Sequence, residues 1–360
     1  MCMCLDKMFL WVIFILFINI THSSAENTVV FKKGESGYFC FRIPAILTTF
    51  KGTLIAFAEA RMFSCDDHTQ IDIAYKRSFD NGKTWSQLKI ACRGNDTNGG
   101  YTAGNPAPVQ LKYNQRILLP FCKNNAIPLQ TYSDDDGLTF APPEVIPNIA
   151  KPDWKWIALG PPGGLLLQSN RIIIPGDFRA GDEPSASFVM YNDFNGEVDK
   201  WVLGGNISLV DYHPDECQAV ELLPDANSIF VNSRSSGKVR IGAYSNDGGI
   251  TFNKVTVLNT LIQPLGGCEG STIYHQNTRQ LFYSGIDDTL VRRNLSLHIS
   301  NDNGENWRFI KTIWARPSAY SSLTTLNDQS VGILYEAGTG NPYETLTFTI
   351  VYNETEKKFM

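Results

Sequence analysis

Arg42 is the residue whose type and setting point first to chemistry. It stands in Phe41-Arg42-Ile43-Pro44, with Phe39, Ile46 and Leu47 close by, so the strand that carries it is largely buried. The proline favours extended backbone ahead of it, which aims the guanidinium instead of leaving it free in solvent. Burying an unpaired charge is heavily penalised, so Arg42 has to meet an anion: a carboxylate of its own chain or an anionic ligand. Other chemistry-bearing residues offer less. His68 and His213 stand alone and read as packing or hydrogen-bonding residues, and no Cys-x-x-Cys or Cys/His spacing suggests a metal. No motif asks for a cofactor.

The elements that position Arg42 show themselves as a repeat. Ser78 to Trp85 (SFDNGKTW), Ser133 to Phe140 (SDDDGLTF), Ser245 to Phe252 (SNDGGITF) and Ser300 to Trp307 (SNDNGENW) share one pattern, each after a short run of strand-forming residues. In such a box the aspartate bonds nearby backbone N–H groups, the glycine takes a positive φ, and the aromatic tucks beneath a hairpin. The first residues lie 55, 112 and 55 positions apart. The double interval has its midpoint near Tyr191 to Gly196, followed by Trp201, a degraded fifth copy. Units of this length made of short antiparallel strands predict an all-β fold, a six-bladed β-propeller with Asp-box hairpins, in a single domain over 26–360.

Composition fits that fold and narrows the function. Hydrophobic residues make up 43% and aromatics 12% of the chain, enough for a large core, and the formal charge of −5 is spread out. No basic run would track nucleic acid. Lys7 and the apolar run Met8 to Ile20, with small residues at Ser23 to Ala25, read as a signal peptide over 1–25, too short to span a bilayer. No later segment is long and apolar enough to span. Sequons at Asn95, Asn206, Asn294 and Asn353 suit the secretory route. Six cysteines remain after the leader and permit disulfides, whose pairing the sequence leaves open.

Phe41-Arg42-Ile43-Pro44 followed by repeated Ser-x-Asp-x-Gly boxes resembles the sialidases, and over nearly all of the mature chain the resemblance is closest to the animal lysosomal sialidase. His213 to Leu222 (HPDECQAVEL), Arg292 to Leu297 (RRNLSL) and Pro317 to Leu326 (PSAYSSLTTL) carry it further. The resemblance implies an exo-α-sialidase that hydrolyses terminal sialic acids from glycoproteins, oligosaccharides or gangliosides with retention. It implies Arg42, Arg234 and Arg292 as the carboxylate-binding arginines, with Arg293 an alternative to Arg292, and Glu336 as the brace of Arg42. It further implies Tyr320 as nucleophile, Glu221 as its base, Asp67 as acid/base, and Arg61 and Asn105 as substrate contacts.

A tyrosine makes sense here. Sialic acid bears a carboxylate on the carbon under attack and would repel a carboxylate nucleophile, and sialidases are a known exception to the two-carboxylate rule. The phenol, with a pKa near 10, then needs a base. Alternatives are a trans-sialidase, where a sugar hydroxyl replaces water, and a silent sialoglycan-binding propeller. The resemblance also implies a lysosomal or extracellular location, and raises a protective carboxypeptidase-type partner. The tail Glu356-Lys357-Lys358-Phe359-Met360 lacks the tyrosine-based sorting signal of the lysosomal enzyme.

Overall fold

The computed structural model describes residues 27–97 and 99–353. The leader expected over 1–25 and the tail after Asn353 lie outside the described residues. The regular secondary structure of the described residues is β-strand apart from two short 3-10 turns. No helix among the described residues is long and apolar enough to cross a membrane.

The strands form antiparallel sheets laid down one after another along the chain. The first joins Cys40–Thr48, Leu54–Arg61, Ile71–Ser78 and Lys89–Cys92. The second and third have five strands each, centred on Ile117–Lys123 and Ile172–Ala180. The fourth joins Cys217–Glu221, Ile229–Ser233, Val239–Ser245 and Lys254–Ile262. The last is seven-stranded, because Arg308–Thr325 runs through it: its first half pairs with Arg293–Ser300 and its second half with Val331–Ala337. The N-terminal Thr28–Lys32 completes this sheet by pairing with the C-terminal Thr345–Tyr352.

The result is a β-propeller-like arrangement whose inner strands include Cys40–Thr48, Cys217–Glu221, Ser271–His275 and the second half of Arg308–Thr325. Side chains tie these inner strands together. Ser322 Oγ accepts from Ile46 N at 3.0 Å, Ser271 Oγ from Leu323 N at 2.9 Å, and Gln218 Oε1 from Thr272 N at 2.6 Å. Apolar faces fill the space between neighbouring sheets, as where Phe57, Ile73 and Tyr75 of the first pack with Ile117, Leu119 and Phe121 of the second.

The four boxes close equivalent turns. Ser78 Oγ accepts from Gly82 N at 2.9 Å, while Asp80 Oδ1 accepts from Thr84 N at 2.9 Å and Oδ2 from the Thr84 hydroxyl at 2.6 Å. The same bonds recur around Asp135, Asp247 and Asp302, with the Asn306 amide replacing the threonine hydroxyl in the last. In the degraded copy Asn192 Oδ1 stands in for the serine, accepting from Gly196 N at 3.0 Å.

The box glycine does two jobs. It holds φ between 75 and 89° in the four boxes (Gly82, Gly137, Gly249 and Gly304), and it lies against an apolar side chain of the preceding sheet. A Cβ at Gly137 would fall 2.4 Å from Ile55, and one at Gly304 would fall 2.8 Å from the Phe230 ring. Each turn is therefore also a contact between sheets.

Candidate active site

Cys40–Thr48 enters the middle of the fold with Arg42 near its start. The extended backbone expected ahead of Pro44 is interrupted: Ile43 has φ 53°, and the register with Leu54–Arg61 slips between Arg42 and Ala45. A β-branched residue in this region is strained, and the structure shows what holds it. Glu336 Oε1 accepts both Ile43 N at 3.2 Å and Arg42 Nε at 3.0 Å, while its Oε2 accepts Tyr320 N at 3.1 Å. One fully buried carboxylate thus fixes two strands and an arginine fork. Arg42 Nη2 is buried and has no partner among the described residues.

Arg234 and Arg292 reach the same place from other sheets. Arg234 Nη1 lies 3.0 Å from the Tyr320 hydroxyl oxygen, and its Nη2 donates to Gly266 O at 2.8 Å. The Arg292 guanidinium lies 5.4 Å from the Tyr320 ring centre and donates to the Tyr343 hydroxyl at 3.1 Å. Arg42 sits over both rings, 4.1 Å from that of Tyr343 and 5.2 Å from that of Tyr320. Three cations therefore surround one phenol. Arg293 points elsewhere: it is half exposed and pairs with Asp288 at 2.6 Å.

Glu221 is not at the Tyr320 hydroxyl. The Tyr320 hydroxyl donates instead to Glu216 Oε1 at 2.6 Å, and Glu216 Oε2 pairs with Arg234 Nη1 at 2.7 Å. Glu221 ends the strand Cys217–Glu221 at its far end, where its carboxylate accepts Gln168 N at 2.9 Å and Asn227 N at 3.3 Å. Five residues of extended chain, at about 3.3 Å each, put about 16 Å between the two glutamates. The correction follows from antiparallel register. Cys217 pairs with Ser233, so Glu216 lies beside Arg234, whereas Glu221 pairs with Ile229 at the other end.

Tyr320 itself is buried, and its pKa is pushed well above that of a free phenol, first by burial and then by Glu216, with the arginines opposing. It rests as a neutral hydroxyl hydrogen-bonded to a carboxylate. A proton acceptor next to a phenol among three cations is an arrangement able to generate a phenolate where an anionic substrate binds.

Asp67 lies across from this pair on the turn joining Leu54–Arg61 to Ile71–Ser78, with its side chain 58% exposed. Its Oδ1 takes Arg61 Nη1 at 2.7 Å and Arg42 Nη1 at 3.3 Å. Partial burial works to raise its pKa, but Arg61 and then Arg42 outweigh this and hold it below the usual aspartate value. Arg61, expected as a substrate contact, is buried and spent on the protein: besides Asp67 it binds Glu59 Oε2 through Nε at 3.0 Å and Nη2 at 2.6 Å. Asn105 takes φ 59°, gives its N–H to Glu59 Oε1 at 2.8 Å, and turns its amide to Asn125 Oδ1 at 3.1 Å.

The loop carrying Asp67 is bridged to the strand carrying Arg42 by a Cys40–Cys65 disulfide. Cys92, Cys122, Cys217 and Cys268 are free and buried. No group of residues able to hold a metal ion occurs among the described residues.

Some neighbours carried no sequence signal. Asp177 is buried, accepts Trp156 Nε1 at 2.9 Å, and is pushed well above the carboxylate range by burial and then by Asp215 and Glu216. Asp215 Oδ1 in turn accepts Glu216 N at 2.9 Å, so this pair stands directly behind the glutamate. Tyr343 and Glu59 were likewise invisible as isolated residues.

The family model for the BNR repeat-like domain matches residues 52–334. A sialidase of Micromonospora viridifaciens is 26% identical over 86% of this chain and 52% of its own, so the chain spans about half that enzyme. A sialidase of Paraclostridium sordellii is 26% identical over 94% of this chain and 92% of its own. Among solved structures, a Hadza microbial sialidase superposes with a TM-score of 0.82 at 25% identity, covering 91% of this chain and 69% of that one. The chain belongs to the BNR-repeat sialidases, the exo-α-sialidases among the glycoside hydrolases.

Proposed function

We propose that this sialidase removes terminal sialic acids from glycoproteins, oligosaccharides or gangliosides with retention, through a covalent bond to Tyr320. The observation that carries the proposal is the 2.6 Å bond from the Tyr320 hydroxyl to Glu216 in the midst of Arg42, Arg234 and Arg292. The sugar's carboxylate lies against the three arginines, whose forks suit its two oxygens. Glu216 takes the phenolic proton as the Tyr320 oxygen bonds to the anomeric carbon. Asp67 gives its proton to the leaving oxygen. In the second half Asp67 takes a proton from the attacking water, and the phenol regains its own from Glu216.

The low pKa of Asp67 in the free protein bears on this cycle. A substrate carboxylate on Arg42 competes for one of the two cations that keep Asp67 ionised, so binding itself favours the protonated acid. Arg61 and Glu59 hold Asp67 in place and Asn105 shapes the adjoining wall.

In fold terms, the seven-stranded sheet counts as two blades sharing the long strand Arg308–Thr325, giving six in one domain over 26–360, closed by Thr28–Lys32. The leader and sequons suit passage through the secretory pathway to a lysosomal or extracellular site. A trans-sialidase would use the same first step and differ only in the acceptor. A silent sialoglycan-binding propeller would need neither Glu216 nor Tyr320.

A 2,3-difluorinated sialic acid, which slows breakdown of the glycosyl intermediate, tests the chemistry. Peptide mapping by mass spectrometry should place the label on Tyr320. Label on Glu216 or Asp67, or no label with rapid turnover of sialosides, would overturn it.

A further inference from the structure

The loop that carries Asp67 has few holds of its own. Between Arg61 and Ile71 the loop closes on itself through Met62 N to Gln70 O at 3.0 Å, and its main chain meets the rest of the fold at its base through Thr102 Oγ1 to Thr69 O at 2.8 Å. Near the tip Arg61 Nη1 donates to Cys65 O, and Ser64 bonds only within the loop, to Asp66. Asp67 adds two ion pairs, both on Oδ1, to Arg42 and Arg61.

One of those ion pairs is with an arginine that the substrate's carboxylate must also engage. As that contact is drawn off, the tip loses a hold just when the acid has to stay aimed at the leaving oxygen. The covalent hold that remains is Cys40–Cys65. Its ends are placed symmetrically: Cys40 lies two residues before Arg42 on the strand, and Cys65 lies two residues before Asp67 on the loop. Cys40 is fully buried and paired in register with Arg61, so the anchoring end is rigid. The bridge therefore links three members of the acid cluster, Arg42, Arg61 and Asp67, all carried by one sheet and its loop, whereas Tyr320, Glu216 and Arg234 are carried by other sheets.

Resting on Asp67 as proton donor, we propose that Cys40–Cys65 is a positioning pair for that donor: it keeps Asp67 aimed at the leaving oxygen while substrate occupies Arg42. A merely structural bridge would support all substrates alike. A bridge that positions the acid matters only when the leaving group needs a proton.

The test compares kcat/KM for methyl α-sialoside, whose leaving oxygen must be protonated, with that for sialyl fluoride, whose fluoride leaves unaided. Asp67→Asn sets the reference and should lose at least about 100-fold on the methyl sialoside while changing little on the fluoride. Cys40→Ser/Cys65→Ser should follow the same pattern more weakly, losing about tenfold or more on the methyl sialoside, within about threefold on the fluoride, and with unchanged affinity for 2,3-didehydrosialic acid. Equal losses on both substrates, or none on either, overturn the positioning role. If Asp67→Asn itself fails to discriminate between the substrates, the assignment of Asp67 falls first. If the double variant does not fold, the native enzyme is reduced under non-denaturing conditions, with fluoride turnover reporting the folded fraction. Selective loss on the methyl sialoside then supports the proposal, and parallel loss refutes it.

Discussion

Glu216→Gln and Glu221→Gln, made side by side, should part activity from stability. Glu216 accepts the Tyr320 hydroxyl at 2.6 Å and Arg234 at 2.7 Å. An amide can still accept a hydrogen bond from the phenol but cannot take its proton. A positioned general base contributes about 10²–10⁴ in rate, and burial has already made the Tyr320 proton harder to remove than that of a free phenol. kcat for an alkyl sialoside should thus fall by about 100- to 10,000-fold. KM should change little, because the three arginines stay and Arg234 merely loses its internal partner. Glu221 accepts two backbone N–H groups at the far end of its strand. Its amide replacement weakens this cap by about 1 kcal/mol, worth about 2 °C in Tm for a domain of this size, with kcat intact. Steady-state kinetics and thermal unfolding on both variants read the two effects separately. Turnover that survives Glu216→Gln, or that is lost in a Glu221→Gln protein of normal Tm, would refute the reasoning.

Two further outcomes follow from the same site. Arg292→Ala removes a charged contact of about 1.5–3 kcal/mol to the substrate carboxylate, so binding of 2,3-didehydrosialic acid should weaken about 10- to 150-fold. Arg293→Ala should bind it normally, since Arg293 is half exposed and paired with Asp288; calorimetry that ranks the two the other way would exchange their roles. The pH profiles should separate as well. In the free protein Arg61 and Arg42 hold Asp67 low, and the proposed reaction needs its protonated form, so kcat/KM should decline as pH rises through that low value. With substrate drawing on Arg42 the hold is weaker, so the corresponding limb of kcat should lie at higher pH. Coincident limbs would show that binding does not prime the acid.

The turns of this fold are written in the sequence because each is a local device. Ser, Asp and Gly at fixed offsets satisfy one another within a single hairpin, so the spacing of Asp80, Asp135, Asp247 and Asp302 announces the sheets with no knowledge of their packing. Arg42, Arg234, Arg292, Tyr320, Glu336 and Asp67 are brought together where the resemblance to sialidases implied. Glu216 was missed because two acidic residues five apart look alike in a string, and only strand pairing tells them apart. The ends of Cys217–Glu221 and Ile229–Ser233 held that information, since Glu216 and Arg234 flank a register pair. Asp177 had no such signal, because it comes from another sheet and comes near Glu216 only through tertiary packing. The conformation of Ile43 was also illegible: Pro44 alone argues for extended backbone, and it is Glu336, almost 300 residues away, that fixes the bulge.

The pairing of Thr28–Lys32 with Thr345–Tyr352 bears on the order in which the molecule can be made. During synthesis the first strand leaves the ribosome long before its partner exists, and it must stay unpaired while every intervening hairpin forms. Local turns can assemble as they emerge, but the seven-stranded sheet cannot take up Thr28–Lys32 until Thr345–Tyr352 is released. The cost of holding these two strands together is then met once and late, by a strand pairing of the highest sequence separation among the described residues. Until that moment the penultimate strand Val331–Ala337, which carries Glu336, has an open edge. Glu336 is the residue that clamps Arg42 and the Tyr320 backbone, so this clamp sits on the strand whose edge stays open until Thr345–Tyr352 pairs with it.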